Sequence, residues 1–209
     1  MRQSVTILKK LIVEHWITLL KLNIITIIAC LPVVTIGPAV LAMNGVLTRL
    51  ADDRMDGSVK DSFLRIFRKK FRRGLILELV VGAYLFMMLW CVGLVDVMAQ
   101  DQQTVLRGAM ALSGCLFGGI SVYWVPLLAD SNVPALRGIW DGFLLALSGL
   151  PQALISAAVV YGSMFCFWLI YPISILLYVL IVPAFVSGVS VAMTWPVIDR
   201  LFFQESGGM

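Results

Sequence analysis

The sequence predicts an all-α, polytopic membrane protein with about five transmembrane helices and additional amphipathic helices at the membrane interface. The first reason is composition. Of the 209 residues, 60% are hydrophobic and 13% are charged, and the mean hydropathy is +0.96, whereas a soluble domain has about 45–50% apolar and about 25% charged residues. The second reason is charge distribution. Among 28 charged residues (16 Lys and Arg, 12 Asp and Glu), only Glu78 and Asp96 lie within the long apolar stretches.

Five apolar stretches are long enough to be membrane spans, because a helix needs about 20 residues to cross the hydrocarbon core. A helix also satisfies its own backbone hydrogen bonds in lipid, and these stretches lack the alternation expected of barrel strands. They cover residues 24–47, 75–98, 108–129, 149–170 and 173–196. The whole chain, 1–209, is therefore expected to form a single membrane domain.

Residues 1–21 predict an amphipathic N-terminal helix. Its apolar face combines aliphatic residues with Trp16, while Lys9 and Lys10 lie elsewhere, and this combination is typical of a helix in the membrane interface. His15, the only histidine of the chain, lies in this segment. A histidine-based metal site or catalytic triad is therefore not expected.

The first apolar stretch contains a helix-breaking segment. Pro32, Thr35, Gly37 and Pro38 interrupt the helical hydrogen-bond ladder, and lipid cannot satisfy the carbonyl groups that are freed. The segment should therefore face other helices or a polar cavity. These four residues are candidates for a functional site, although a packing kink is the preferred interpretation.

Residues 49–74 form a basic segment that we expect to lie on the cytoplasmic side. Ser58 and Asp61 have the spacing of a helix capping box, and seven basic residues follow between 60 and 73. Phenylalanines recur at every fourth position, which predicts a basic, aromatic-faced helix on an anionic inner leaflet. Nucleic-acid binding is disfavoured because the segment lies between two spans. The candidate interfacial or partner-docking residues are Phe63, Phe67, Phe71, Arg65, Arg68, Lys69, Lys70, Arg72 and Arg73.

No catalytic constellation is visible. The chain has no Walker loop, no His-Glu-x-x-His and no Gly-x-Ser-x-Gly sequence, and its four cysteines are not spaced as metal ligands. Glu78 and Asp96 are candidate intramembrane acids, but both lie near the ends of the second stretch, where a structural or interfacial role is favoured. The protein is therefore not expected to be an enzyme or to hold a cofactor.

The distribution of basic residues leaves two topologies open. With five full spans, an external N-terminus places 11 basic residues inside and 5 outside, as the positive-inside rule requires. A re-entrant hairpin at 24–47 places 15 inside and 1 outside. A weak internal repeat, Asp61–Leu64 and Asp141–Leu144, favours the full span instead.

The Leu31-Pro-Val-Val-Thr-Ile-Gly-Pro-Ala39 run, followed by the phenylalanine-rich pattern, resembles the YesL-like family of bacterial membrane proteins of unknown function. Further matching positions are Asn23, Lys70, Gly74, Tyr123, Pro126, Leu127, Leu128, Leu150 and Pro151. The resemblance covers essentially the whole chain and implies about five spans. It also implies a gene neighbourhood of carbohydrate ABC transporters, but it supplies no catalytic or binding residues.

Two functions therefore remain open. The first is an accessory role in carbohydrate uptake, with ABC sugar-transporter components as possible partners in the plasma membrane. The second is a small-solute transporter whose pathway is the broken first span. An ABC permease subunit is a minor alternative, because the region from Ala135 to Pro151 lacks the Glu-Ala-Ala of the coupling loop and has too short a spacing between its glycine and proline.

Overall fold

The chain folds into helices, seen here in a computed structural model. It describes residues 2–9, 11, 13, 15–52, 54–55, 57–95, 100–131, 134–149, 151–152, 155–156, 158–159, 162 and 175–198. Over these residues the structure is all-helical, as the sequence predicts, and contains no strand. The helices are α1 (Arg2–Lys9), α2 (Trp16–Cys30), α3 (Ile36–Ala51), α4 (Val59–Val95), α5 (Gln100–Asp130), α6 (Ala135–Ser148) and α7 (Ile175–Ile198).

The N-terminal segment is helical where the structure describes it. α1 covers Arg2–Lys9 and α2 begins at Trp16. Leu11, between them, is only 1% exposed and packs against Leu50 and Ala192. This part of the segment therefore packs against α3 and α7.

The break predicted inside the first apolar stretch is present. α2 ends at Cys30, a short 3₁₀ turn covers Val33–Thr35, and α3 begins at Ile36. Pro32 has an extended backbone conformation (φ −76°, ψ 121°), which ends the helical path. Residues 24–47 are therefore two helices separated by a turn and not one kinked span.

α4 is the longest helix and joins two segments that the sequence analysis separates. It has 37 residues, about 55 Å at 1.5 Å per residue, and it includes both the basic residues and the second apolar stretch. Its N-cap is the predicted Ser58: the Asp61 amide donates to Ser58 Oγ over 3.1 Å. The helix continues without interruption past residues 74 and 75, where the basic segment and the second apolar stretch meet.

Among the described residues, three helices are long and apolar enough to cross a membrane, judged by length and composition: Val33–Ala51, Val59–Val95 and Gln102–Asp130. α2 and Pro183–Ile198 are apolar but shorter. The protein is thus a membrane protein, but its predicted total of about five spans is not confirmed. The predicted span at 149–170 lies mostly outside the described residues.

The predicted internal repeat has different local structures in its two copies. Asp61 lies in the first turn of the 37-residue α4, whereas Asp141 lies in the middle of the 14-residue α6. α6 ends at Ser148, and the amide of the following residue, Gly149, donates to the Leu145 carbonyl over 2.9 Å. The four-residue similarity therefore does not mark two equivalent structural units.

The main core lies where α2, α3, α7 and the first half of α4 meet. It contains fully buried residues from each of these helices, including Leu22, Val46, Phe63 and Val191. A second, smaller cluster joins α3, α4 and α5 around Leu41, Leu77 and Trp124. α3 runs through both clusters and is the central element of the fold.

Candidate functional site

The start of α3 crosses α4 at a point where only glycine fits. A Cβ on Gly37 would collide with the Gly74 carbonyl oxygen and lie 2.7 Å from Glu78 Cβ. A Cβ on Gly74 would collide with Pro38 Cα and lie 2.5 Å from Pro38 N. Gly37 and Pro38, two candidates from the sequence, are therefore buried in a close helix–helix contact. Gly74 forms its other side, although the sequence analysis singled it out only as part of a family pattern.

Glu78 provides a hydrogen-bond acceptor for a backbone amide at the start of α3. Its Oε2 accepts a hydrogen bond from the Gly37 amide over 3.1 Å, and a carboxylate is favourable at a helix N-terminus, where backbone amides lack partners. Thr35 Oγ1 donates to the carbonyls of Ala29 (2.5 Å) and Pro32 (2.7 Å). The chain itself thus satisfies polar groups on both sides of the break, while Pro32 lies exposed.

The phenylalanine stripe of α4 faces the protein. Phe63 is 1% exposed and belongs to the main core, and Phe67, which is half-buried, packs against that core. Phe67 also stacks with Phe63 (centroids 6.0 Å apart) and makes an edge contact with Phe71 (5.5 Å). The expectation that this stripe inserts into lipid is therefore wrong for Phe63, because α3 already covers that face.

Two of the nine candidate interfacial residues bind the end of α5 instead of the membrane surface. Lys70 is only 6% exposed, and its Nζ donates to the carbonyls of Leu128 (3.1 Å) and Ser131. Arg73 Nη1 donates to the same Ser131 carbonyl over 2.9 Å. Cations are favourable at a helix C-terminus, where carbonyls lack partners. Lys70 and Arg73 therefore hold α4 and α5 together.

The remaining basic candidates are exposed to solvent. Arg65, Arg68 and Lys69 line an open groove of about 610 Å³ together with Asp61 and Leu64, and Arg72 is exposed on the same helix. Arg65 also donates to Ser62 Oγ over 3.4 Å. This cationic groove is the part of the predicted docking surface that the fold leaves open.

A polar cluster that the sequence analysis missed joins the ends of α3, α5 and α7. Asp52 accepts hydrogen bonds from Trp195 Nε1 and from Arg54, and Arg54 also forms an ion pair with Asp130 (3.3 Å). Burial alone would lower the pKa of Arg54, but Asp130 and Asp52 outweigh it and raise the pKa. The partners are 76 and 143 residues apart in sequence, so local spacing contains no signal for them.

The second candidate acid, Asp96, lies outside the described residues. Within the part of the chain that the structure describes, no three His, Cys, Asp or Glu side chains come together as a metal site would require. The geometry brings Glu78 to the helix break. What the described residues offer is a fixed helix crossing and an open cationic groove.

Residues 19–96 match the family model described as "Protein of unknown function, DUF624". This region contains most of α2 and all of α3 and α4, and with them the helix break, the glycine crossing and the cationic groove. Neither the curated proteins nor the solved structures provide a match to the chain. Residues 19–96 are therefore similar to DUF624, an uncharacterised domain family with which the resemblance to the YesL-like family is consistent.

Proposed function

We propose that the protein is a non-catalytic accessory component of carbohydrate uptake, anchored in the plasma membrane by several helices and docking onto an ABC sugar transporter. The link to carbohydrate uptake comes from the YesL-like resemblance. The observation that carries the docking role is the cationic groove formed by Asp61, Leu64, Arg65, Arg68 and Lys69. Three cations that make no interhelical contact within the described structure provide a surface for an acidic patch on a cytoplasmic partner.

The basic residues of α4 form two sets with different surroundings, and this difference supports the proposal. Lys70 and Arg73 are bound to carbonyl groups at the end of α5, so the fold itself accounts for them. Arg68 and Lys69 are exposed on the same helical turns, next to this bound pair in sequence. Because an exposed charge contributes little to folding, a role in recognition gives a better account of this second set.

The proposal is tested by co-purification of the full chain with sugar-transporter components from native membranes. Neutralising the groove (Arg65→Gln, Arg68→Gln, Lys69→Gln) should strongly reduce capture, and the binding that remains should be insensitive to salt. The matched control neutralises three exposed cations elsewhere: Lys9→Gln, Lys21→Gln and Arg107→Gln. Equal capture by both triple variants would contradict the docking role, and capture of anionic lipid alone would assign the groove to the inner leaflet.

The alternative, a small-solute transporter that uses the broken first span, has less support. A pathway at the break would need polar groups available to a solute, whereas Gly37 and Thr35 are bound to Glu78 and to nearby carbonyls. The close contact between Gly37 and Gly74 also leaves no room for a solute at that point. Solute uptake by proteoliposomes containing only this protein would establish the transporter and refute the accessory role.

A further inference from the structure

α2 and α3 run antiparallel to each other. Leu19 lies eleven residues before the end of α2, and Leu47 lies eleven residues after the start of α3. Both meet the same point on α7: a Cβ built on Gly188 would be 3.9 Å from Leu19 Cδ2 and 4.0 Å from Leu47 Cδ2. A continuous helical path would separate these leucines by about 40 Å. The chain therefore turns back at residues 31–35.

The turn of this helical hairpin exposes large apolar side chains. Leu31 is 76% exposed, Val33 72% and Val34 64%, and no charged residue lies between Asn23 and Asn44. By contrast, two thirds of the most apolar part of Val33–Ala51 is buried inside the protein. The hairpin thus joins a largely protein-covered α3 to an uncovered apolar turn formed by residues 31–34, hereafter the tip.

The tip lies beside the point where the surface of α4 becomes apolar. Gly37, just after the tip, contacts Gly74 and is hydrogen-bonded to Glu78. The next residue of α4, Leu79, is 73% exposed, and the most apolar part of α4 is only 6% buried. The tip and the exposed half of α4 therefore form one apolar surface, and exposed apolar surfaces of this kind mark membrane or protein contacts.

The part of α3 that follows the tip lies beside the charged half of α4. A Cβ on Gly45 would be 3.2 Å from Ile66, so α3 runs antiparallel along the half of α4 that contains Arg65, Arg68 and Lys69. If α3 crossed the bilayer, these exposed cations would enter the hydrocarbon at the same depth, which is unfavourable.

From these observations we infer that α2 and α3 form a re-entrant hairpin whose tip enters the hydrocarbon of the cytoplasmic leaflet, while both of its outer ends remain on the cytoplasmic side. The inference concerns membrane topology and is independent of the proposed docking role. It matches the charge distribution, which places 15 basic residues inside and 1 outside for a hairpin at this position. The occupant of the exposed tip is therefore lipid hydrocarbon, because the same apolar surface continues along α4.

The first test determines on which side of the membrane the two outer ends of the hairpin lie. Single cysteines at two exposed positions, Lys9→Cys and Lys60→Cys, are introduced into a full chain whose Cys30, Cys91, Cys115 and Cys166 are replaced by alanine. An impermeant maleimide should label neither position in intact cells and both in opened membranes. Labelling of either position in intact cells would overturn the inference, and labelling of position 9 alone would show that α3 crosses the membrane.

The second test measures how deeply the tip lies in the bilayer. A nitroxide on Val33→Cys in proteoliposomes should collide with oxygen and not with nickel-EDDA, as should a Leu89→Cys control on the exposed apolar half of α4. Leu31→Cys repeats the measurement at a second exposed position, so that failure of one variant to fold leaves the test intact. Collision with nickel-EDDA would place the tip in water, and protection from both reagents would show that protein covers it. Either result overturns the inference.

Discussion

The two halves of α4 share one unbroken helix but have opposite surroundings. Residues 59–74 bury Phe63, Ile66 and Lys70 against neighbouring helices and expose a row of cations. Residues 75–95 expose nine large apolar side chains, among them Leu79, Phe86 and Trp90. The first half therefore has the surface of a helix at the edge of a water-soluble core, and the second has the surface of a membrane span. The comparison shows that a helix boundary and a membrane boundary need not coincide.

The largest expected difference between the halves is in the stability lost when a phenylalanine is replaced by alanine. Phe63→Ala should reduce the free energy of unfolding by about 3–5 kcal/mol, because the ring is fully buried and its removal leaves a cavity. Phe86→Ala is the matched change in the second half, where the ring is 68% exposed, and should change it by less than about 1 kcal/mol. Reversible unfolding in mixed micelles measures both. Equal losses would show that the halves do not differ in packing.

A methyl group added to a glycine should have opposite effects in the two halves. Gly74→Ala should destabilise the protein by about 1–3 kcal/mol, because the new Cβ would collide with Pro38. Gly82→Ala meets nothing within 4 Å and should stabilise the helix by up to about 1 kcal/mol through its higher helix propensity. Thermal unfolding of both variants in the same detergent measures the sign. Destabilisation at 82 or tolerance at 74 would contradict the crossing geometry.

Adjacent lysines within the first half should differ as well. Lys70→Met leaves carbonyls at the end of α5 without their buried donor and should cost about 1–3 kcal/mol. Lys69→Met changes an exposed side chain in the groove and should change stability by no more than about 0.5 kcal/mol. The same unfolding measurement applies. In the co-purification assay the order should reverse, with Lys69→Met weakening capture more than Lys70→Met.

The smallest expected effect is at the junction of the halves. Glu78→Gln keeps an acceptor for the Gly37 amide but removes the charge at the start of α3, which should cost about 0.3–1 kcal/mol. Glu78→Ala removes the acceptor as well and should cost more, about 0.5–2 kcal/mol. If alanine and glutamine have equal effects, the hydrogen bond to Gly37 contributes nothing to stability.

Local features of the fold could be predicted from the sequence because they depend on neighbouring residues. The helix break at Pro32 and the N-cap at Ser58 follow from backbone chemistry within a few positions. The surroundings of the phenylalanine stripe could not be predicted, because periodicity identifies an apolar face but not what covers it. The cluster of Asp52, Arg54, Asp130 and Trp195 depends on helix packing alone.

The same distinction applies to the candidate site. The sequence identified the basic residues of 60–73 as a group, since their charge is visible in composition. It could not separate Lys70 and Arg73, which bind α5, from Arg65, Arg68 and Lys69, which remain exposed, because this depends on where α5 ends. The sequence also left the path of 24–47 open, and the packing of α2 and α3 on α7 now favours the hairpin.

The most direct test of the contrast within α4 is a nitroxide scan of its exposed positions in proteoliposomes. Labels at 65, 68 and 72 should collide with nickel-EDDA and not preferentially with oxygen, whereas labels at 79, 85 and 89 should do the reverse, with the change between 74 and 79. Oxygen-dominated collisions at 65, 68 and 72 would contradict this account, because they would place the basic half of α4 in the bilayer.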